Sequence, residues 1–338
     1  MYDKNKGFYK LDQYVDESYM DLSTQTGEYQ IGYPLNFLKD ALGGMTKSEL
    51  LVIGADSGVG KSEAVNNIAF HNAKEGKKVY IFSLEGDKYD LINRHRYSCF
   101  LEELARRHQG GLACSYREFL INKIPEKGKD LLQAIDEEIK NNLKTLKVYN
   151  RKEDLSLALF ESHLDLINAE ADLVIIDHLH YFDFHKKEYE AINEIMKRIK
   201  KIQEKYRIPM ILVSHLRKKD AMRSFPDQAD FHGSSNIVKQ ADTCVVMAHI
   251  DVGEDGDAQQ IKTNTYQTGI RIVKSRTGFS QKIIGVMDYD LEARKYSDEY
   301  TLKVCGNNYI ANINEPPAWA KHARSEKQTE EKNADSMY

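Results

Sequence analysis

The sequence predicts an α/β protein built on a mostly parallel central sheet with helices on both faces. Three observations carry this. Short apolar runs alternate along the chain with stretches of helical periodicity. One apolar run passes through a glycine-rich turn straight into a helix. Three of the runs end in a polar residue, as parallel strands do where they deliver side chains to a site.

Taken in order, the first clear strand is Leu50–Ile53. Ala55, Asp56, Ser57, Gly58, Val59, Gly60, Lys61 and Ser62 follow it and read A-D-S-G-V-G-K-S. Strand, glycine turn, Lys-Ser and helix together describe a phosphate-binding loop, or P-loop. Gly58 and Gly60 let the backbone curl so that successive N–H groups face phosphate oxygens. The helix opening at Lys61 adds its positive end. Lys61 is placed to reach β- and γ-phosphates, and the Ser62 hydroxyl to ligate Mg²⁺. The strict pattern asks for Gly at the first position, where this chain has Ala55, with Gly54 one residue early. The helix ends at Glu75-Gly76, where glycine suits the cap. Val79–Phe82 is the next strand, and residues 89–145 read as mainly helical, broken near Gly110-Gly111 and Pro125. Leu173–Ile176 is a buried strand. Tyr189, Ile192, Ile195, Met196, Ile199, Ile202 and Tyr206 recur at helical spacing opposite a Lys/Arg-rich face. Strands then follow at Met210–Val213, Thr243–Ala248, Ile270–Val273 and Ile283–Met287.

Composition narrows the function classes. The 338 residues are 41% hydrophobic, enough to bury a core. Net charge is −4, so any nucleic acid is held by local basic patches and not by a bulk field. Cys99, Cys114, Cys244 and Cys305 form no C-x-x-C pair, which argues against zinc and disulfides and for a reducing compartment. The polar start M-Y-D-K-N-K-G-F is no signal peptide, and no apolar run approaches a membrane span.

The polar residues at strand ends suit nucleotide hydrolysis. Glu85, in S-L-E after Val79–Phe82, is placed to polarise an attacking water, with a plain surface glutamate as the alternative. Asp177 closes Leu173–Ile176 and suits Mg²⁺ held through water, although apolar-then-Asp is common in α/β chains. His215, after Met210–Val213, suits a neutral hydrogen-bonder of the γ-phosphate, with a structural histidine as the alternative. The ordered set is far more specific than any member.

With these residues in place, the chain resembles the RecA-like motor domain of the DnaB-type ring helicases, and most of all the helicase halves of phage helicase-primases. The resemblance spans about residues 30 to 300. It rests on I-G-Y-P…G-G, A-D-S-G-V-G-K-S, F-S-L-E-G, V-I-I-D-H-L-H, I-L-V-S-H-L-R, H-G-S-S-N-I-V-K-Q-A-D and K-S-R-T-G. It implies a RecA-like P-loop NTPase with a C-terminal β-hairpin, Glu85 as catalytic base, Asp177 supporting the metal and His215 sensing phosphate. The K-x-R pair, Lys274 and Arg276, would enter the neighbouring subunit's site. An arginine supplied in trans also makes physical sense, because it couples hydrolysis to subunit contact. The resemblance further implies DNA contacts from Arg217, Lys218, Lys219, Ser234, Ser235, Asn236 and Lys239, and stacking of Tyr289 on the nucleotide base. His232 stands where relatives carry Arg before G-S, and His249 where some place an Arg near the base. Both departures bear on DNA coupling and nucleotide preference.

The expected organisation is an arm at residues 1–30, a motor core at 31–304 and a C-terminal segment at 305–338 that turns into a charged tail from Glu315. The arm would dock on a neighbouring subunit or lack fixed structure. No primase module or N-terminal helical domain is expected. The leading expectation is an ATP- and Mg²⁺-dependent hexameric translocase that moves on single-stranded DNA and unwinds duplex during replication. It would act in the cytoplasm of a bacterial cell or a phage-infected host, with a separate primase or loader as partner. A recombination or annealing filament and a DNA-independent regulatory ATPase are the alternatives.

Overall fold

The computed structural model describes residues 30–150, 155–182, 188–217, 225–231, 234–250, 265–276, 282–306, 310–313 and 315–324. A short ribbon, β1 (Ile31–Gly32) with β2 (Gly44–Met45), brackets helix α1 (Asn36–Leu42). The main elements follow as β3 (Leu50–Ala55), α2 (Lys61–Lys74), β4 (Val79–Ser83), α3 (Lys88–Arg106), α4 (Tyr116–Leu120), α5 (Glu126–Asn142), β5 (Leu146–Asn150), α6 (Leu157–Ile167), β6 (Leu173–Asp177), α7 (Glu188–Tyr206), β7 (Met210–His215), α8 (Ser234–Gln240) and β8 (Thr243–His249). The chain then turns all-β, with β9 (Thr265–Ser275), β10 (Ile283–Asp290), β11 (Lys295–Cys305), β12 (Ile310–Asn312) and β13 (Ala323–Arg324).

One sheet organises the described residues, in the order β5-β4-β6-β7-β3-β8-β9-β10-β11-β12, with β13 beside β11. From β5 to β8 every pairing is parallel, and from β8 to β12 every pairing is antiparallel. The parallel half is buried on both faces, which explains its unbroken apolar runs. Successive residues of β3 divide between two cores. Leu50 and Val52 join Ile192, Ile195, Met196 and Ile199 of α7. Leu51 and Ile53 join Ala64, Val65 and Ile68 of α2 on the other face. Helices therefore cover both faces, as the sequence predicts. Between β4 and β5, α3, α4 and α5 form a satellite with its own core of Tyr97, Phe100, Phe119, Leu131 and Ile135. Pro125 stands at the N-terminus of α5, where its missing N–H costs nothing.

The expected C-terminal hairpin, β9 with β10, is extended by β11, so the hairpin is part of a larger antiparallel wing. β5 and β11 are elements the sequence reading does not contain. Part of the expected tail is also ordered: Trp319 packs edge-on against Phe37 at 6.2 Å, and β13 pairs with β11. Residues 325–338 and the arm at 1–29 lie outside the described residues.

Candidate nucleotide site

The strand order sets β4, β6, β7 and β3 side by side, so their C-terminal ends form one edge. Register aligns Ser83 with Asp177 and Ala55 with His215. A cleft of about 470 Å³ opens at this edge. Its phosphate end is Ser57, Gly58, Gly60, Lys61 and Ser62, with Glu85 and Asp177 opposite.

Gly58 and Gly60 take φ of +85° and +95°, a region where side chains are strained and only glycine is at ease. Gly60 has a second constraint. The Tyr296 hydroxyl of β11 donates to its carbonyl at 3.1 Å, and a Cβ there would meet that hydroxyl at 2.6 Å. Gly54 is explained differently: a Cβ would lie 2.5 Å from Phe231. It serves packing beneath the loop, and Ala55 opens the loop proper. The Lys61 ammonium, 3.5 Å from the Asp56 carbonyl, is largely buried. Burial lowers its pKa, against the pull of Glu85, Asp177 and Asp56.

Asp177 is buried, and burial raises its carboxyl to about 6, opposed by a hydrogen bond from Ser62 and by Lys61. Its Oδ1 is buried without a hydrogen-bonding partner. A buried, unsatisfied carboxylate oxygen beside the Ser62 hydroxyl fits Mg²⁺, which takes one or two protein oxygens and fills its other places with phosphates and water. Consistent with that sparse demand, the described residues hold no cluster of three or more His, Cys, Asp or Glu able to bind a metal alone.

Glu85 is half exposed at the cleft mouth, and its Oε2 lies 3.3 Å from His178 Nε2. His178 stands within V-I-I-D-H-L-H, where sequence reasoning assigns it no role of its own. Its Nδ1 accepts from the His180 backbone N–H at 3.2 Å, and burial pushes its pKa down to about 2. The imidazole is therefore neutral with its proton on Nε2, the nitrogen that faces Glu85. His215 stands edge-on to His178 at 4.2 Å, and burial lowers its pKa too. His215 thus adjoins the cleft through His178. It does not line the cleft.

At the other end the cleft is lined by Tyr289, Leu291 and Arg294. Tyr289 stacks on Tyr296 at 4.7 Å. Glu63, Arg94 and Arg294 also line the cleft, and sequence reasoning misses them. Arg294 carries no motif, and Glu63 reads as an ordinary first-turn acid. His249 stacks on Tyr266 at 5.1 Å and does not line the cleft.

Lys274 and Arg276 stand at the opposite edge. Ser275 pairs with Thr243, which pairs with Leu51, roughly 13 Å of strand from the loop at about 3.3 Å per residue. Lys274 Nζ caps α8, donating to the carbonyls of Val238 and Ala241 at 2.6 Å each. Arg276 is exposed, and its Nη1 pairs with Asp242 Oδ1 at 2.8 Å. Asp242 Oδ2 in turn accepts from the Leu50 N–H at 2.9 Å and Lys200 Nζ at 2.7 Å.

The DNA-contact candidates divide. Arg217 is exposed just past β7, and the Leu216–Phe231 bridge draws it toward the start of α8. Ser234 and Ser235 open α8, with Asn236 half-buried after them. Lys239 is exposed at the far end of α8, beside Lys274. Lys218, Lys219 and His232 lie outside the described residues. Among the described residues, no helix is long and apolar enough to cross a membrane.

Comparison with solved structures gives the fold independent support. The chain is similar to a solved structure of the ATPase domain of a phage helicase at TM-score 0.69 and 15% identity, covering 86% of this chain and 99% of that one. It is similar to one titled "The Structure Of A DnaB-Like Replicative Helicase And Its Interactions With Primase" at TM-score 0.65 and 16% identity, covering 86% and 67%. A KaiC-like protein from Pyrococcus horikoshii OT3 is more distant, at TM-score 0.51 and 13% identity, covering 79% and 96%. No curated protein matches the sequence. The sequence itself matches the DnaB-like helicase C-terminal domain over residues 32–298. That match takes in the phosphate loop, Glu85, Asp177, Arg276 and the sheet that carries them, so the chain belongs to the DnaB-like helicase C-terminal domain family and has its RecA-like α/β fold.

Proposed function

We propose that the chain is an ATP- and Mg²⁺-dependent translocase that assembles as a hexameric ring, moves on single-stranded DNA and unwinds duplex during replication. The observation that carries this is the placement of two sets of groups. The phosphate loop, Glu85 and Asp177 converge on one cleft, while Arg276 is exposed at the far edge of the same sheet. Lys61 holds the outer phosphates, and Glu85, oriented by His178, accepts the proton of the attacking water. Ser62 and Asp177 hold Mg²⁺, which supplies charge neutralisation to the phosphates. Arg276 serves the next subunit's cleft, so hydrolysis depends on ring assembly. Tyr289 stacks on the base. Arg217, the start of α8 and Lys239 track DNA phosphates without reading bases. The arm at residues 1–30 reaches a neighbouring subunit. A separate primase or loader is the further partner, and the work is done in bacterial cytoplasm.

One observation favours a DNA-independent ATPase as the second reading. The chain is net acidic, and its basic DNA candidates Arg217 and Lys239 stand near opposite ends of α8. ATP hydrolysis with and without single-stranded DNA at low salt, with Lys61→Ala as the blank, decides between them. Strong stimulation by single strands supports the translocase. Hydrolysis indifferent to DNA selects the second reading, and no hydrolysis above the blank refutes both.

A further inference from the structure

Beyond the phosphate loop, the cleft contains an arrangement of charge that the reading above does not use. Glu63 follows Ser62 in the first turn of α2, with its side chain 11% exposed. Two arginines from different elements converge on the same oxygen, Glu63 Oε1. Arg94 Nη1 of α3 lies 2.8 Å away and Arg294 Nη1 lies 3.3 Å away. Arg94 also pairs with Asp90 at 2.6 Å, but that carboxylate is 44% exposed and screened by water. The Nε of each arginine is buried without a hydrogen-bonding partner. Two guanidiniums on one carboxylate oxygen, each with an unsatisfied donor, are more donor capacity than the protein's own acceptors fill.

The backbone points the same way. Arg294 takes φ of +53°, a conformation that costs a side-chain-bearing residue about 1 kcal/mol and that Gly or Asn fills more easily. Asp290 Oδ1 holds the turn in place by accepting from the N–H groups of Glu292 and Ala293 at 2.8 and 2.9 Å. The arginine side chain lies 4.5 Å over the ring of Tyr116. A turn built firmly around a disfavoured arginine suggests that the side chain, and not the backbone, is what the position needs.

We infer that Arg94 and Arg294 form a second anion subsite for the phosphate nearest the nucleoside, and that Glu63 is its exchangeable counter-ion. The inference rests on the nucleotide reading of the cleft. Lys61 and Ser62 take the outer phosphates, and Tyr289 takes the base. Glu63 and Asn66, next along α2, line the stretch between. Without nucleotide, Glu63 keeps the arginines apart from one another's charge and from unwanted anions. A bound nucleotide replaces the carboxylate oxygen with phosphate oxygens, which accept charge-assisted hydrogen bonds equally well. Because Arg94 is on α3 and Arg294 on the β10–β11 turn, the exchange also draws the satellite helices and the antiparallel wing onto the ligand.

The test is equilibrium binding of Mg-ADP and of Mg-pyrophosphate, which lacks the nucleoside-proximal phosphate. Arg294→Gln keeps the backbone demand unchanged and is expected to weaken ADP about tenfold while leaving pyrophosphate unaltered. Glu63→Gln is expected to tighten ADP about tenfold and to make ADP binding more sensitive to salt. Equal losses for both ligands in Arg294→Gln would reduce the arginines to a general positive field and overturn the subsite. Unchanged or weaker ADP binding in a Glu63→Gln protein that melts like the parent would overturn the counter-ion role. If the parent protein binds neither ligand, the nucleotide reading itself fails, which is a distinct result.

Discussion

Replacing Asp177 by Asn separates what this residue does for the fold from what it does for the ligand. Burial lifts its carboxyl from an ordinary 3.8 to about 6. At 1.36 kcal/mol per pH unit, keeping it ionised in the folded protein costs about 3 kcal/mol near neutrality. The sign follows from linkage. The folded state holds this proton more tightly than the unfolded chain does. The group's contribution to stability is therefore full below pH ~4 and is lost as pH rises through about 6. Asparagine has nearly the same shape and no charge to desolvate. In urea unfolding without nucleotide, Asp177→Asn is expected to match the parent near pH 4 and to exceed it by up to ~3 kcal/mol near pH 8. With Mg-ADP near pH 8 the order should reverse, because only the carboxylate holds the metal. An Asp177→Asn protein no more stable than the parent at the higher pH would refute the claim that this carboxylate is strained by burial. A variant that keeps full Mg²⁺-dependent ADP stabilisation would refute its metal role.

The other predictions concern the same cleft and its neighbour. Glu85→Gln is expected to bind Mg-ATP within a few-fold of the parent and to lose turnover by about 10² to 10⁴; single-turnover assays would expose substantial residual chemistry. Gly60→Ala forces a methyl toward Tyr296 at a φ of +95°. ADP titration should show at least a tenfold loss, and urea unfolding about 1–3 kcal/mol of destabilisation. Arg276→Ala should leave folding and ADP binding nearly intact, since its ion pair is solvent-exposed. Hydrolysis should nevertheless fall by about 10³ or more. Mixing it with Lys61→Ala should restore part of the rate at interfaces where an intact cleft faces an intact arginine, and a mixture as dead as its components argues against a shared site.

How much of this is legible in the sequence depends on whether a residue's role is local. The loop at Ala55–Ser62 is readable because its geometry is made by consecutive residues. The strands ending at Glu85, Asp177 and His215 are readable because a buried parallel strand is a bare apolar run. β5, L-K-V-Y-N, escapes because it emerges from a long helix with only two apolar alternations. β11 escapes because its eleven residues include four charges and an irregular burial pattern, set by packing against β10 and not by solvent. Tyr296 and Arg294 touch the phosphate loop and Glu63 across more than 230 positions of sequence. No spacing rule spans that distance. The histidine relay from His215 through His178 to Glu85 is equally hidden, since it depends on which strands are neighbours.

The link from Asp242 to the Leu50 N–H has a consequence for timing. Leu50 begins β3 and Ala55 ends it, a span of six residues. Asp242 grips the first of these with one oxygen and Arg276 with the other. With Arg276 acting on a neighbour, β3 becomes a rigid push-rod whose head meets one nucleotide and whose tail steadies the group offered to another. Inextensible strands transmit displacement without damping, so a shift at the filled cleft would arrive at the next one as a change in arginine position. Turnover would then pass around the ring in order, without any separate signalling element.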